Sequence, residues 1–257
     1  MNITILTLFP NMFDGFMQNS IIKRAITKKA VTIKVINIRE YTKDRYRRVD
    51  TPPVGGGAGL IMKAQPIVDA LKDLKNDNSH VILLSPRGVT YTQKEAKRLA
   101  NHEDLIIICG HYEGIDERVN LYIDEIISIG DYILTGGEVA AMAIADSIIR
   151  LQQGAISAPS LDEESFESDM LEYPQYTEPY EFEGNKVPDI LYSGNHGAIS
   201  KWRRKQALKI TRQHRPDLFS STKLSKTDRL LLKEIDNNAN PDWEKNALIK
   251  GAKFIKK

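Results

Sequence analysis

An α/β fold built around a mainly parallel sheet is the fold class that the sequence predicts. Two observations carry this prediction. Short apolar runs of strand length alternate with helical patterns from the start of the chain to about residue 153, which is the pattern of successive βαβ units. Two glycine-rich loops also flank an apolar run between residues 109 and 138, and loops at strand ends are where such folds bind ligands.

Five segments are predicted to be strands because they are short and apolar. They are residues 3–8, 31–38, 81–85, 105–109 and 123–129. The stretches between them carry apolar residues at helical spacing, which predicts helices over residues 9–30, 65–75, 92–101 and 139–151. Thr92 is expected to open the third helix. The fourth is rich in alanine, so we expect it to pack on the sheet or on a partner subunit.

The pattern changes after residue 184. Two charged segments there are predicted to be helical, the second with Ser225 as its N-cap, which suggests a small all-α domain. The stretch joining this domain to the first is too long for an ordinary connection, and we expect it to be either disordered or functional. The expected division is a cofactor-binding α/β domain at 1–153, an acidic connector at 154–184 and a helical domain at 185–257.

Charge separates the connector from the basic segment that follows it. The net charge is only +2, from 36 basic and 34 acidic residues. Residues 151–185 contain no lysine or arginine, whereas residues 199–216 contain seven of them and no acid. Trp202 lies among these cations, and a second basic cluster surrounds Arg45 and Arg48. The two clusters favour contacts to nucleic-acid phosphates, and a solvated basic helix is the alternative for the second.

Several classes of protein and site do not fit the sequence. A single cysteine excludes an intramolecular disulfide, and the first residues lack the basic region of a signal peptide. No apolar run approaches the roughly 20 residues that span a bilayer, so we expect a cytoplasmic protein without a membrane partner. The glycine-rich loops match neither the dinucleotide fingerprint nor a P-loop, which indicates a less usual cofactor.

Individual residues near these loops allow two interpretations each. Cys109 ends an apolar run and is expected to be a core residue rather than a nucleophile. Glu113, Asp116 and Glu117 share a loop with Arg118. Helix capping with a local ion pair is one interpretation of this group, and contact with magnesium or substrate is the other.

Ordered motifs along nearly the whole chain resemble the bacterial tRNA (guanine-N1)-methyltransferase family, TrmD. They read LTLFPNMF, YTKDRYRRVD, GGGAG, LLSPRG, CGHYEGIDERV, SIGDYILTGGE, LEYPQYTEP and YSGNHGAISKWRRKQ. The resemblance implies a SPOUT-type domain with a deep trefoil knot, and a homodimer whose active sites are shared between subunits. The implied reaction is methylation of N1 of guanosine 37, in the anticodon loop of tRNA, with S-adenosylmethionine as methyl donor.

By the same resemblance, three loops would hold the cofactor. The implied contacts are Leu84, Ser85 and Pro86 in the first loop; Gly110, Tyr112 and Glu113 in the second; and Ser128, Ile129, Gly130, Asp131, Tyr132, Ile133, Leu134, Gly136 and Gly137 in the third. Glu113 is also the candidate contact for a magnesium ion. Arg45, Arg48, Lys201, Arg203 and Arg204 are expected to contact tRNA.

The catalytic pair that the resemblance implies is Glu164 with Arg150. Guanine N1 carries a proton at neutral pH, so methylation there needs a base. The family has an aspartate in an Asp-Ser-Phe motif, and Glu164 stands at that position here, with Asp162 as the fallback. Glu178 also departs from the family, replacing the arginine of Tyr-Thr-Arg-Pro.

These departures leave two other functions open. One is an RNA-binding protein of the SPOUT fold in which catalysis is lost or altered. The other is a SPOUT methyltransferase that acts on a different RNA nucleotide.

Overall fold

The structure is a computed structural model, and it describes residues 1–156, 165, 166 and 170–251. The chain divides into two compact units, Met1–Ser157 and Ala158–Lys257. None of the helices in the described ranges is long and apolar enough to cross a bilayer.

A parallel sheet of five strands forms the centre of the first unit, as the sequence predicts. The strands of this unit in chain order are β1 (Asn2–Thr7), β2 (Thr32–Asn37), β3 (Asp50–Thr51), β4 (Ile61–Met62), β5 (Ser79–Thr90), β6 (Asp104–Cys109) and β7 (Glu125–Ser128). The sheet has the order β2-β1-β6-β5-β7, and β3 pairs separately with β4. Because every pairing within the sheet is parallel, the carboxyl ends of β6, β5 and β7 lie side by side at one edge.

Strand β5 is longer than predicted because it leaves the ladder and returns to it. Leu84 pairs with Cys109 on one side and with Ile127 on the other. The register then shifts, and Val89 pairs with Ile127 again. Residues 85–88 therefore bulge out of the sheet at the edge where β6 and β7 also end.

Helices cover both faces of the sheet. In chain order they are α1 (Asp14–Gln18), α2 (Ser20–Thr27), α3 (Ala64–Leu74), α4 (Gln93–Leu99) and α5 (Glu138–Ile149), with 3₁₀ helices at Pro10–Phe13, Ile38–Glu40 and Glu117–Tyr122. The continuous helix predicted over residues 9–30 is interrupted at Asn19, whose backbone is extended. Thr92 precedes α4, but its side chain makes no capping hydrogen bond.

Alternate residues of β6 enter two separate cores. Leu105 and Ile107 pack in the cluster that includes α2 and α5, whereas Ile106 and Ile108 pack in the cluster that includes α3. All six residues of β6 are buried. Both faces of this central strand are covered, which explains why residues 105–109 are continuously apolar rather than alternating.

Helices also dominate the second unit. They are α6 (His196–His214), α7 (Pro216–Ser221), α8 (Lys226–Asp236) and α9 (Asp242–Gly251). A short antiparallel hairpin, β8 (Glu181–Phe182) with β9 (Asn185–Lys186), precedes them and was not predicted. Ser225 is confirmed as the N-cap of α8, where it forms a reciprocal capping box with Asp228.

Two ion pairs join α6 to α8, and they differ in burial. Arg204 Nε donates to Asp228 Oδ1 at 2.8 Å, and the Asp228 side chain is only 4% exposed. Arg212 Nη1 donates to Asp236 Oδ1 at the same distance, but the Asp236 side chain is 56% exposed. Hydrogen bonds from Arg204 lower the pKa of Asp228 to about 2. The ionised Asp228 therefore stabilises the fold fully at pH values above the unfolded-state pKa of about 3.9, and this stabilisation is lost as the pH falls through about 2.

We expect Asp228→Asn to lower the free energy of unfolding by about 1–3 kcal/mol, since it removes charge-assisted hydrogen bonds at a buried site. Asp236→Asn makes the same chemical change about two turns further along the same helix, at an exposed pair, and is expected to cost less than about 1 kcal/mol. Thermal and urea unfolding at pH 7 measures both. Equal losses of unfolding free energy in the two variants would show that burial does not make the Arg204–Asp228 pair the stronger one.

Candidate functional site

A cavity of about 450 Å³ lies in the first unit, where three neighbouring strands end. The loop after Leu84 forms one wall, the loop from Gly110 to Ile115 forms a second, and the loop from Ser128 to Gly137 forms a third. The cavity follows from the parallel sheet, since β6, β5 and β7 deliver these loops to the same edge.

All but one of the predicted cofactor contacts line this cavity. They are Leu84, Ser85, Pro86, Gly110, Tyr112, Glu113, Ser128, Ile129, Gly130, Tyr132, Ile133, Leu134, Gly136 and Gly137. Asp131 is not part of the lining. The lining also includes residues that the sequence did not single out for this role, among them Arg87, His111, Glu117, Asn120 and Thr135.

The third loop presses directly against the second. Gly137 N–H donates to the carbonyl of Gly110 at 2.9 Å. A Cβ atom on Gly137 would lie 2.8 Å from the Cα atom of Cys109, closer than real side chains approach backbone. Only glycine therefore fits at Gly137 without moving the strand end.

A buried carboxylate ties these loops to the end of β1. Glu138 is the first residue of α5 and is only 2% exposed. Its Oε1 atom accepts a hydrogen bond from Thr7 Oγ1 at 2.7 Å, and Thr7 Oγ1 in turn accepts one from Phe9 N–H at 2.9 Å. A Cβ atom on Gly136 would meet both Glu138 Oε2 and the ring of His111, so this carboxylate sits between the second and third loops.

The second loop is held in a strained conformation at Tyr112. This residue has φ +59°, in the left-handed region that non-glycine residues seldom adopt. Its hydroxyl accepts a hydrogen bond from Arg39 Nη2 at 3.4 Å, and its ring packs edge-on against His111. Partial burial raises the pKa of Tyr112, with Asp50 adding to the effect. Strain of this kind is concentrated at ligand sites.

An exposed ion pair lies at the rim of the cavity. Arg87 donates from both terminal nitrogens to Glu117, at 2.8 and 2.9 Å. This pairing lowers the pKa of Glu117 and raises that of Arg87. Asp116 instead caps the following 3₁₀ helix through Arg118 N–H, which is the capping interpretation given above.

Cys109 is a core residue, as the sequence predicts. Cys109 is fully buried, and burial raises the pKa of its thiol well above the ordinary range. Across the parts of the chain that the structure describes, no three His, Cys, Asp or Glu side chains are grouped as metal ligands.

The sequence model of the family described as tRNA (guanine-1)-methyltransferase TrmD matches residues 1–221. The match covers well over half of the chain. This chain belongs to the TrmD family. A tRNA (guanine-N(1)-)-methyltransferase of Clostridium perfringens is 54% identical over 235 residues, which is 91% of this chain and 99% of the relative.

Two further relatives carry the same name. The Clostridium novyi protein is 55% identical over 234 residues, or 90% of this chain and 97% of the relative. The Dictyoglomus turgidum protein is 54% identical over 236 residues, or 91% of this chain and 96% of the relative. The matches to these relatives therefore cover nearly the whole length of both proteins.

The predicted catalytic residues of this TrmD-family chain are only partly described by the structure. Arg150 is half-buried and caps the carboxyl end of α5, the helix whose first residue is Glu138. Glu164 and the fallback Asp162 lie outside the described residues. The pairing of Glu164 with Arg150 stays a prediction.

The predicted tRNA contacts differ in how they are held. In the first unit, Arg45 and Arg48 both lie against the ring of Tyr46. In the second, Lys201 lies 4.5 Å from the ring of Trp243, and Arg204 is held in its ion pair with α8. Arg203 and Arg204 also line a cavity of about 770 Å³ within that unit.

We expect Thr7→Val to weaken binding of S-adenosylmethionine roughly tenfold, equivalent to about 1.4 kcal/mol. The isosteric valine leaves the Glu138 carboxylate without its donor and the Phe9 amide without its acceptor, so both loops lose their shared anchor. Thr7→Ser keeps the hydroxyl and should restore binding. Isothermal titration measures the affinity.

Thr4→Val is the matched control, because Thr4 is another buried threonine of the same strand. It should leave the cofactor affinity near that of the unmodified protein. Unchanged binding in Thr7→Val, or equal losses in Thr7→Val and Thr7→Ser, would show that the hydroxyl does not position the loops.

Proposed function

We propose that the chain transfers a methyl group from S-adenosylmethionine to N1 of guanosine 37 in the anticodon loop of tRNA. Membership of the TrmD family carries the proposal, since the family description and the names of the relatives both specify methylation of tRNA at position 1 of guanine. The choice of nucleotide 37 rests on the motifs shared with the family.

The cavity of the first unit supports the proposed cofactor in size and chemistry. Its volume of about 450 Å³ lies in the usual range for small-molecule sites. Backbone groups and apolar side chains can hold a flat, neutral adenine, and glycines let the backbone come close to it. Glu113 adds a carboxylate that suits the cationic part of the cofactor. When bound, S-adenosylmethionine supplies the electrophilic methyl group.

The proposed acceptor chemistry needs one base and no covalent intermediate. We assign the base to Glu164, which takes the proton from guanine N1, and we assign to Arg150 the orientation of the guanine and stabilisation of its developing charge. Burial and the raised pKa of Cys109 agree with a reaction that uses no thiol nucleophile. The target base is proposed to leave its stack, because N1 is otherwise hidden.

We also propose the assembly that the family motifs imply. It is a cytoplasmic homodimer with active sites shared between subunits, in which the α/β domain at 1–153 is tied in a deep trefoil knot. The acidic connector at 154–184 and the helical RNA-binding domain at 185–257 complete it. Large exposed apolar side chains near the cavity support a covering partner: Leu121 is 83% exposed, Ile133 82% and Val139 52%.

We propose Glu113 as the residue that would hold a magnesium ion, and such an ion would supply positive charge at the cavity. Magnesium keeps several waters and is commonly bound through one or two carboxylates plus substrate oxygens. Glu113 borders the cavity and meets that requirement.

A methyl-transfer assay with labelled S-adenosylmethionine tests the function. The substrates are two tRNA transcripts that differ only in having guanosine or adenosine at position 37. Transfer to the guanosine transcript alone is expected. No transfer to either transcript would favour the RNA-binding protein without catalysis, and equal transfer to both would favour a SPOUT enzyme with another target nucleotide.

We expect Glu164→Gln to reduce turnover by about 10²- to 10⁴-fold, since an amide cannot take the N1 proton. Binding of S-adenosylmethionine, measured by titration, should stay unchanged. Glu163→Gln makes the same change at the neighbouring carboxylate and should keep normal turnover. Persistent turnover in Glu164→Gln would place the base elsewhere, and Asp162→Asn would then test the fallback.

A further inference from the structure

The basic loop of residues 42–48 is built around one aspartate. Asp44 accepts hydrogen bonds from the backbone N–H groups of Tyr46 and Arg48, at 3.0 and 3.2 Å, and from Arg48 Nη2 at 2.9 Å. The backbone N–H of Arg47 donates to the Asp44 carbonyl at 2.9 Å, and Arg47 takes a left-handed φ of +57°. These bonds fix a tight turn rather than an extended basic strand.

The turn presents an aromatic ring to solvent. Tyr46 is 62% exposed, so much of its ring is open to solvent. The guanidinium carbon of Arg45 lies 4.4 Å from the ring centroid, and that of Arg48 lies 5.3 Å from it. Arg45 also donates a hydrogen bond to the Tyr46 hydroxyl. Cations therefore hold the ring in place while much of its surface stays open.

The charges around this ring are only partly compensated. Arg48 is paired with Asp44, and Lys43 is paired with Asp69 at 2.8 Å. Within the described residues, Arg45 and Arg47 make no ion pair with a carboxylate. Arg45, which lies against the ring, and Arg47, the next residue after Tyr46, are thus available for an anionic partner.

The side chain of Arg39 connects the loop to the cavity. Arg39 Nη1 donates to the Arg47 carbonyl at 3.3 Å, and Arg39 Nη2 donates to the Tyr112 hydroxyl at 3.4 Å. Tyr112 lines the cavity. The turn that carries Tyr46 is therefore hydrogen-bonded, through Arg39, to a residue of the cavity wall.

We propose that Tyr46 is a stacking platform for a nucleobase of the RNA substrate, with Arg45 and Arg47 holding the phosphates beside it. This proposal rests on the proposed function. It adds a contact between Tyr46 and a nucleotide that is near the methylated guanosine in the RNA sequence. An exposed aromatic ring with neighbouring cations is the chemistry by which proteins bind unpaired nucleotides, since every base offers a π-face. A double helix, whose bases are already stacked, would not use such a ring.

The test measures the dissociation constant of the full chain for a tRNA transcript by filter binding over a series of salt concentrations. Tyr46→Ala should raise the dissociation constant about 5- to 100-fold, the range for loss of one stacked base. Tyr46→Phe keeps the ring and should bind nearly as the unmodified protein does. Affinity for S-adenosylmethionine should be unchanged in both variants.

Salt dependence separates stacking from phosphate contact. Arg47→Gln should lower the slope of log affinity against log salt by about one, as expected for one lost phosphate contact. Tyr46→Ala should leave that slope unchanged. Phe182→Ala is the matched control, since Phe182 is similarly exposed, at 65%, but stands between two glutamates of the β8–β9 hairpin. It should not change binding.

Normal tRNA affinity in Tyr46→Ala would overturn the platform, and so would equal losses in Tyr46→Ala and Tyr46→Phe. A loss of cofactor affinity in Tyr46→Ala as large as its loss of tRNA affinity would also overturn it, because the effect would then act through the cavity. Failure of the unmodified protein to methylate tRNA would reject the proposed function separately, since binding is measured without turnover.

Discussion

The register of three parallel strands is the constraint on which the rest of the first unit depends. Leu84 pairs with both Cys109 and Ile127, so β5, β6 and β7 reach the same edge of the sheet together. The loops that follow these strands therefore lie next to one another, and the cavity is the space that they enclose. The buried faces of β6 fix this register, because a slip of one residue would exchange the two cores.

The strand register places the loops together but does not determine their conformation, which a few specific contacts fix. Glu138 is a costly group to bury, and its bond to Thr7 compensates for the lost hydration while joining positions 131 residues apart. The close contact of Gly137 with the Cys109 backbone brings the third loop against the second. Tyr112 is held in a left-handed conformation and accepts a hydrogen bond from Arg39. Arg39 also donates to the Arg47 carbonyl, which joins the second loop to the basic loop that carries Tyr46.

Much of this could be predicted from the sequence, for identifiable physical reasons. Most of β6 is one apolar run, and Ser225 has the spacing of a capping box. Both features can therefore be recognised from the sequence alone. The return of β5 to the ladder at Val89 and the break at Asn19 depend on tertiary pairing. The pairing of Arg87 with Glu117 spans 30 residues and leaves no local pattern. Glu138 lies inside a recognisable motif, but nothing in that motif indicates that Thr7 is its partner.

We propose that one cavity, made by three strand-end loops, binds S-adenosylmethionine. Hydrogen exchange followed by mass spectrometry, with and without the demethylated product S-adenosylhomocysteine, would locate the binding site. Protection is expected in residues 84–87, 110–115 and 128–137 together, because the three walls enclose one ligand. Protection of other segments without these loops, or no protection at a saturating concentration, would show that the cavity does not bind the cofactor.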